Sequence, residues 1–381
     1  MWMPILLLGC AASIRGDFEA ARDAALADPP PLAADWSPDL EVQLSGEAVS
    51  TLLDAATDAL PPLKTTQSIG PASVTPRLTV KHLALSPQKG ADDLLLDVSA
   101  KGRIKWTAGP LNGSLPLSVD AVAAATVDTE RRGEAWVATV RLTSVRSASV
   151  DIDGAIAGVK GLDERVQEWV DDALTELPPV ELPPVGGSDL PLRGLRVVQA
   201  GDGLRLLAKT DANVDARVQR PRGMPSSGVR VALASEALIA VARTAAFQQG
   251  EVAYGIVGDP RSIAFTPTGF DLGLRLWRPV GRGWWRDYQV SGTATVAPRK
   301  VKLAASDVEQ TAQSPGADMA DVLAFLAEGL IVRTLEDALV AAVPATTQVV
   351  LGDTTVQVDV DSLGPGPGSA VVLQGALGAT K

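Results

Sequence analysis

The chain has 381 residues, which at roughly 100 to 200 residues per domain points to two domains with enough chain for sizeable cores. Forty-five acidic against 34 basic side chains give a net charge of −11, with no lysine or arginine run, so the field repels a phosphate backbone and nucleic acid is excluded as a partner. One cysteine and one histidine leave no zinc set and no internal disulfide, and no metal and no cofactor is expected.

Residues 1–10, Met-Trp-Met-Pro-Ile-Leu-Leu-Leu-Gly-Cys, put Leu7, Leu8 and Gly9 directly before the sole cysteine, with Ala11, Ala12 and Ser13 after it. This resembles the lipobox of bacterial lipoproteins, in which the residues before the cysteine are removed and the cysteine is acylated. The resemblance implies a signal segment over 1–9 and lipidation at Cys10. Several acyl chains make such an anchor stable, because each buried methylene contributes about 0.8 kcal/mol. No other segment reaches the ~18 uninterrupted apolar residues of a membrane span, so the body is expected to be soluble and exported. Ala11 stands where enteric lipoproteins held in the inner membrane carry aspartate, which favours an outer-membrane anchor facing the periplasm. Residues 10–39 read as anchor and tether. An alanine-rich helical turn or two around 18–26 is followed by Asp28-Pro-Pro-Pro-Leu-Ala-Ala-Asp-Trp-Ser-Pro38, where proline stiffens the chain and removes donors.

Next comes a repeat. Val42-Gln-Leu-Ser-Gly-Glu-Ala-Val-Ser-Thr-Leu-Leu recurs 189 residues later as Val231-Ala-Leu-Ala-Ser-Glu-Ala-Leu-Ile-Ala-Val-Ala. Each copy predicts a short strand running into a helix. Ser45 caps the first helix and Glu47 lies in its first turn, where the dipole favours an anion. Val49, Leu52, Leu53, Ala56 and Leu60 follow helical spacing, as do Leu238, Val241, Ala242 and Ala245.

Period-two segments come after the first helix. Leu78, Val80, His82 and Ala84 are expected on one face, as are Leu94, Leu96, Val98 and Ala100, then Leu115, Leu117, Val119 and Ala121, then Trp136, Ala138, Val140 and Leu142. Asp97, Ser99, Lys101, Ser118, Asp120, Thr139 and Arg141 alternate with them, which predicts an antiparallel sheet with one wet and one apolar side. A helix with Leu162, Val166, Trp169, Val170, Ala173, Leu174 and Leu177 on one stripe, stopped by Pro178-Pro179, supplies a cover. Two short strands, 195–198 and 204–207, close the unit. His82 has no Ser-x-Gly elbow or acidic partner nearby in sequence and reads as structural. Asp151-Ile-Asp153 and Asp359-Val-Asp361 lack the glycine and distal glutamate of a calcium loop and read as solvated strand faces.

The second copy repeats this order. Strands are expected around 253–257, 262–265, 270–277, 285–297 and 300–304, then a long helix from Met319 through Leu326 and Leu330 to Val343, then a hairpin about Gly364-Pro-Gly-Pro-Gly368. The division is a first repeat over 40–212, a linker over 213–228 and a second repeat over 229–381.

This order of elements resembles the tubular lipid-binding (TULIP) superfamily of the bactericidal/permeability-increasing proteins. The resemblance covers nearly all of residues 40–377 as order and periodicity. It implies an α+β fold of two tandem units, each a long amphipathic helix and a second helix wrapped by a curved antiparallel sheet, with an apolar tube for acyl chains. The function it implies is non-enzymatic lipid binding or lipid transfer in the cell envelope, with a phospholipid or fatty-acyl ligand and membrane contact through the anchor. The residues expected to line the tube are Val49, Leu52, Leu53, Leu94, Leu96, Val98, Leu117, Val119, Leu238, Val241, Leu272, Leu274, Leu276, Leu326 and Leu330. Leu, Val and Ala at this spacing also fill closed cores, and the alternative is a structural or interaction lipoprotein, an envelope scaffold or assembly factor, with the same fold.

The segment from Leu272 to Tyr288 is rich in tryptophan and arginine, and Gly281 and Gly283 predict a hairpin tip. Trp277, Arg278, Arg282, Trp284 and Trp285 are candidates for membrane contact, since tryptophan favours the water–hydrocarbon interface and arginine meets lipid phosphates. The other reading is a self-contained hairpin whose tryptophans pair across strands beneath stacked arginines.

Overall fold

Residues 4–58, 60–69, 72–87, 94–153, 162–219, 221–252, 254–297, 300–315, 329, 331–333, 336, 349–351 and 354–380 are described by a computed structural model. The fold is α+β. Its helices are α1 (Pro4–Leu26), α2 (Gly46–Thr57), α3 (Leu162–Thr175) and α4 (Ser235–Gln249). The expected long helix after Met319 lies mostly outside the described residues, Leu326 and Leu330 with it. Within it 331–333 and 336 are helical, and Ile331 and Val332 are buried.

The first sheet holds β2 (Leu63–Lys64), β3 (Gln67–Ile69), β4 (Ala72–Leu85), β5 (Leu94–Ala108), β6 (Leu111–Arg132), β7 (Ala135–Ile152) and β8 (Val180–Glu181), in the order β2-β4-β5-β6-β7-β8 with β3 also on β4. The second is β12 (Val257–Phe265), β13 (Gly269–Arg278), β14 (Trp284–Ala297) and β15 (Lys300–Gln313), in chain order. Alternation does what the sequence predicts along β5, where Leu94, Leu96, Val98, Ala100 and Ile104 point inward. Arg146 and Thr143 are extra residues of β7 opposite Val122–Ala123 and Ala124–Ala125 of β6, and these bulges bend β7.

One alternation is broken. A bulge between Val80 and His82 shifts the register of β4, so Leu83 and Leu85 continue the inner face while His82 turns outward. His82 Nδ1 lies 2.7 Å from Asp54 Oδ1 of α2, which also accepts the Leu83 N–H at 3.1 Å. The carboxylate therefore satisfies a donor that the bulge releases. In the second copy, residues 254–256 are not a strand. Tyr254 has a φ of +52° in a turn, and the strand starts at Val257. Pro260 is tolerated within β12 because that strand is a sheet edge and bulges beside it.

The third sheet joins the two halves. It consists of β1 (Leu40–Leu44), β9 (Leu192–Ala200), β10 (Gly203–Thr210), β11 (Val229–Ala234), β16 (Val349–Leu351), β17 (Thr354–Pro365) and β18 (Ala370–Thr380), ordered β16-β17-β18-β11-β1-β10-β9. The strands that open the two copies pair with each other at its centre. Val42 stands opposite Val231, the position that the 189-residue offset equates with it. The helices that follow start as the repeat suggests. The Ala48 N–H donates to Ser45 Oγ at 3.1 Å, and Glu47 and Glu236 occupy the first turns.

Residues 213–228 are more than a connector. Ala216 and Val218 are buried on the outer face of the central sheet, and the Val218 N–H donates to Pro38 O at 2.9 Å. That cover explains why Asp39, just before β1, and Glu41 and Gln43 within it are buried although they alternate with Leu40, Val42 and Leu44. Asp39 accepts from Thr210 N and Thr210 Oγ1, both at 2.8 Å, with Lys209 Nζ 3.1 Å away.

Residues 14–39 are docked on the body instead of forming a free tether. Helix α1 runs unbroken from Pro4, well before the turn or two expected near Phe18. Its Ile14 and Phe18 are buried against Phe247, Val257 and Trp277, with Ala21 and Ala25 packed beside them. Downstream, Pro30 O accepts from Arg193 Nη2, Trp36 O accepts from Arg196 Nη2 at 3.0 Å, and the Arg196 guanidinium lies 4.1 Å from the Trp36 ring centre. No helix among the described residues is long and apolar enough to cross a membrane.

Candidate functional site: the apolar interior and the face beneath the first helix

The interior is one continuous apolar cluster drawn from α2, α3, α4 and all three sheets. Val49, Leu52 and Leu53 of α2, Leu94, Leu96 and Val98 of β5, Leu117 and Val119 of β6, Leu238 of α4, and Leu272, Leu274 and Leu276 of β13 all belong to it. Val241 is only half-buried and lines an outer groove with Asp189, Asp211 and Gln248. It lies on the flank of α4, one position before the buried Ala242. Where α2 meets the central sheet, Leu44, Leu52, Leu182, Leu206 and Val358 enclose an apolar cavity of about 10 Å³, room for a single water.

Along β5 the inward side chains from Leu94 to Ile104 are apolar. Ten residues of strand span about 33 Å, close to the ~30 Å hydrocarbon thickness of a bilayer.

On the opposite face of β13 sits a second, polar and aromatic constellation. Parity puts Arg275 and Trp277 there, away from Leu272, Leu274 and Leu276. The Asp259 carboxylate is wholly buried at its centre. Oδ1 accepts from Arg243 Nε at 2.6 Å, and Oδ2 accepts from Trp277 Nε1 at 3.0 Å and Arg261 Nη2 at 2.8 Å. Arg275 Nε donates to Asp287 Oδ1 at 2.5 Å, and its guanidinium stacks 4.2 Å from the Trp285 ring centre and 5.1 Å from that of Trp277. Burial pulls the Arg261 guanidinium below its ordinary value; Asp259 opposes the fall and the charges of Arg243 and Arg275 add to it. The hydrogen bonds that Arg275 donates to Asp287 raise its guanidinium above the ordinary value.

Helix α1 closes this face. Phe18 packs 5.9 Å from Phe247 and 6.0 Å from Trp277, centre to centre, the latter edge-on. Trp277 is therefore buried beneath α1, whereas Trp284 points to the other face of the sheet and is buried in the interior cluster, and the expectation that both face a membrane gives way to packing within protein. Trp285 is half-buried under Arg275. Arg278 and Arg282 are exposed. A signal for this cover was present in the sequence, because Ile14, Phe18, Ala21 and Ala25 share one helical stripe.

The side chain of Cys10 lies outside the described residues, although its backbone belongs to α1. Asp151, Asp153 and Asp361 are exposed, and among the described residues no three His, Cys, Asp or Glu side chains cluster in a way that would hold a metal ion.

No protein-family model and no curated protein matches the chain. Among solved structures, the crystal structure of P47 of Clostridium botulinum E1 is similar with a TM-score of 0.42 and 9% identity, over 90% of this chain and 100% of that one. P47 from Clostridium botulinum A2 follows with 0.38 and 10%, over 89% and 97%. A lipopolysaccharide binding protein gives 0.36 and 12%, over 91% and 100%.

Proposed function

We propose that the chain is a non-enzymatic lipid-binding or lipid-transfer lipoprotein of the bacterial envelope, anchored through Cys10 in the outer membrane and facing the periplasm. In this reading its interior takes the acyl chains of a phospholipid or fatty acid in two tandem units of the tubular lipid-binding type. The observation that supports it is the bilayer-length apolar surface of β5, continuous with the inner faces of the neighbouring strands and with α2. An acyl chain gains about 0.8 kcal/mol per methylene on leaving water, but it has nearly the same gain in a membrane. A carrier therefore needs only to match a bilayer, and transfer in either direction is then close to neutral.

The small size of the cavity between α2 and the central sheet favours a second reading, the scaffold or assembly factor with filled cores. Uptake of a fluorescent fatty acid by the full chain separates the two. Leu96, buried on β5 opposite Ala123, is the position to obstruct. In the lipid-carrier reading the unaltered protein takes up the probe and Leu96→Trp weakens uptake by about tenfold or more, with near-ultraviolet circular dichroism reporting that the fold is kept. No uptake by the unaltered protein sinks the carrier and leaves the scaffold.

A further inference from the structure

Among the described residues five large apolar side chains are exposed, and two of them stand together. Tyr254 is 74% and Val280 53% exposed. A Cβ at Gly255 would lie 2.7 Å from Val280 Cγ2, so the loop after α4 rests against the β13–β14 turn. Tyr254 is held there with a φ of +52°, a conformation costly for a bulky residue. Such a cost is tolerated where it places a side chain for use.

The same end carries positive charge on a chain of net −11. Arg278 and Arg282 flank the turn, are exposed, and have no ion-pair partner among the described residues. Glu251 is an acidic neighbour whose Oε1 accepts the Gly255 N–H at 2.5 Å, and Asp17 of α1 acts on Arg275 further down the same hairpin. Arg15 is paired with Glu19 on α1 at 2.9 Å.

Helix α1 leads to this end as well. Phe18 lies against Trp277 of β13, and a Cβ at Gly283 in the turn would lie 3.3 Å from Ile14 Cγ2. The helix therefore runs toward the turn as it is followed back to its start. Its backbone from Ser13 to Pro4, about 15 Å of helix, continues in that direction, and the sequence there is the apolar Ile5-Leu-Leu-Leu-Gly-Cys10.

We propose that this end is a docking surface for an anionic lipid bilayer. Tyr254 and Val280 enter the interface, and Arg278 and Arg282 meet headgroup phosphates. Tyrosine suits that depth because its ring is apolar and its hydroxyl stays wet, and each arginine gains from an anionic surface in a salt-dependent way. Trp277 of β13 and Trp285 of β14 brace the turn from beneath α1. This surface goes beyond lipid carriage and has its own readout, since a chain that fails to bind vesicles can still co-purify with lipid, and the reverse.

The test is co-sedimentation of the full chain, carrying Cys10→Ser so that no acyl anchor contributes, with phosphatidylglycerol and with phosphatidylcholine vesicles. The parent is expected to prefer phosphatidylglycerol and to release with salt. Tyr254→Asp with Val280→Asp is expected to weaken binding to both by about tenfold or more, and Arg278→Glu with Arg282→Glu to abolish the preference for phosphatidylglycerol. Tyr254→Ser with Val280→Ser, which adds no charge, is expected to weaken binding in the same direction with unchanged circular dichroism, so a folding defect in the aspartate pair does not decide the matter. Leu111→Asp, at the exposed β5–β6 turn, serves as the control and is expected to change nothing. Unchanged binding in the serine pair, an equal loss from Leu111→Asp, or self-association without vesicle binding overturns the proposal.

Discussion

Asp259→Ala is expected to destabilise the protein by about 3 kcal/mol, the low end of the range for breaking a buried ion pair by removing one partner. The carboxylate has no exposure and holds three donors from different elements: Arg243 of α4, Arg261 within β12 and Trp277 of β13. Without it the indole N–H is orphaned, and two guanidinium groups are left facing each other with Arg275 nearby. The arginine side chains keep 24% and 37% exposure, so water relieves part of the penalty, which is why the low end applies. Asp287→Ala is expected to cost less, because the Arg275–Asp287 pair is about one-quarter exposed at both partners and such pairs contribute little beyond their hydrogen bonds. Urea unfolding of both variants checks the order. Equal losses would mean that Asp259 is not the hub of this face.

Phe18→Asp is expected to release α1 while the rest of the fold survives. Large-to-small changes at a buried phenylalanine cost about 3 to 5 kcal/mol when the whole fold bears them, and a charge in the same place costs more. Here the loss is capped by the free energy of docking one helix, because α1 can leave without opening the sheets. Trypsin is then expected to cut after Arg15 and Arg22 in the variant and to spare them in the parent, and hydrogen exchange to rise over 14–26 with little change at β5 or β13. Protection of α1 at the parental level, or cooperative loss of the whole protein, would contradict this. Undocking also uncovers Trp277, so its fluorescence is expected to shift toward that of a solvated indole.

The starts of α2 and α4 were legible because backbone requirements leave residue signatures. Ser45 and Glu47 mark a helix start whatever surrounds it, and the recurrence of the glutamate at 236 marks a second. The strand faces of β5, β6 and β13 were legible because period two survives wherever one side is wet. That reading failed at His82, where a bulge inserts one residue, and the adjacent polar pair Lys81-His82 was its trace. Nor does period two show that Asp39 and, in β1, Glu41 and Gln43 are buried, since their cover comes from residues 213–228. Cover supplied from far along the chain has no local signature.

The same limit governed the candidate site. The interior positions on β5, β6 and β13 were named from periodicity alone, since burial of a strand face depends on the pattern and not on the partner. The tryptophans were placed at a membrane because aromatic and arginine side chains at a hairpin fit an interface, a sheet ladder or an overlying helix equally well. What decided for Trp277 was α1, whose last residue Leu26 lies 255 residues before the tip at Gly281, and no rule of local spacing links the two. Tyr254 and Val280, which the structure leaves exposed, are single apolar residues in loops and carry no pattern at all.

The most direct measurement of the central claim is native mass spectrometry, followed by lipid extraction, on the full chain purified from bacterial cells beside its Leu96→Trp variant. Discrete phospholipid or fatty-acid masses bound to the parent and diminished in the variant are expected if the interior carries acyl chains. A bare protein mass that stays bare after incubation with phospholipid and fatty acid would contradict the carrier and direct attention to protein partners.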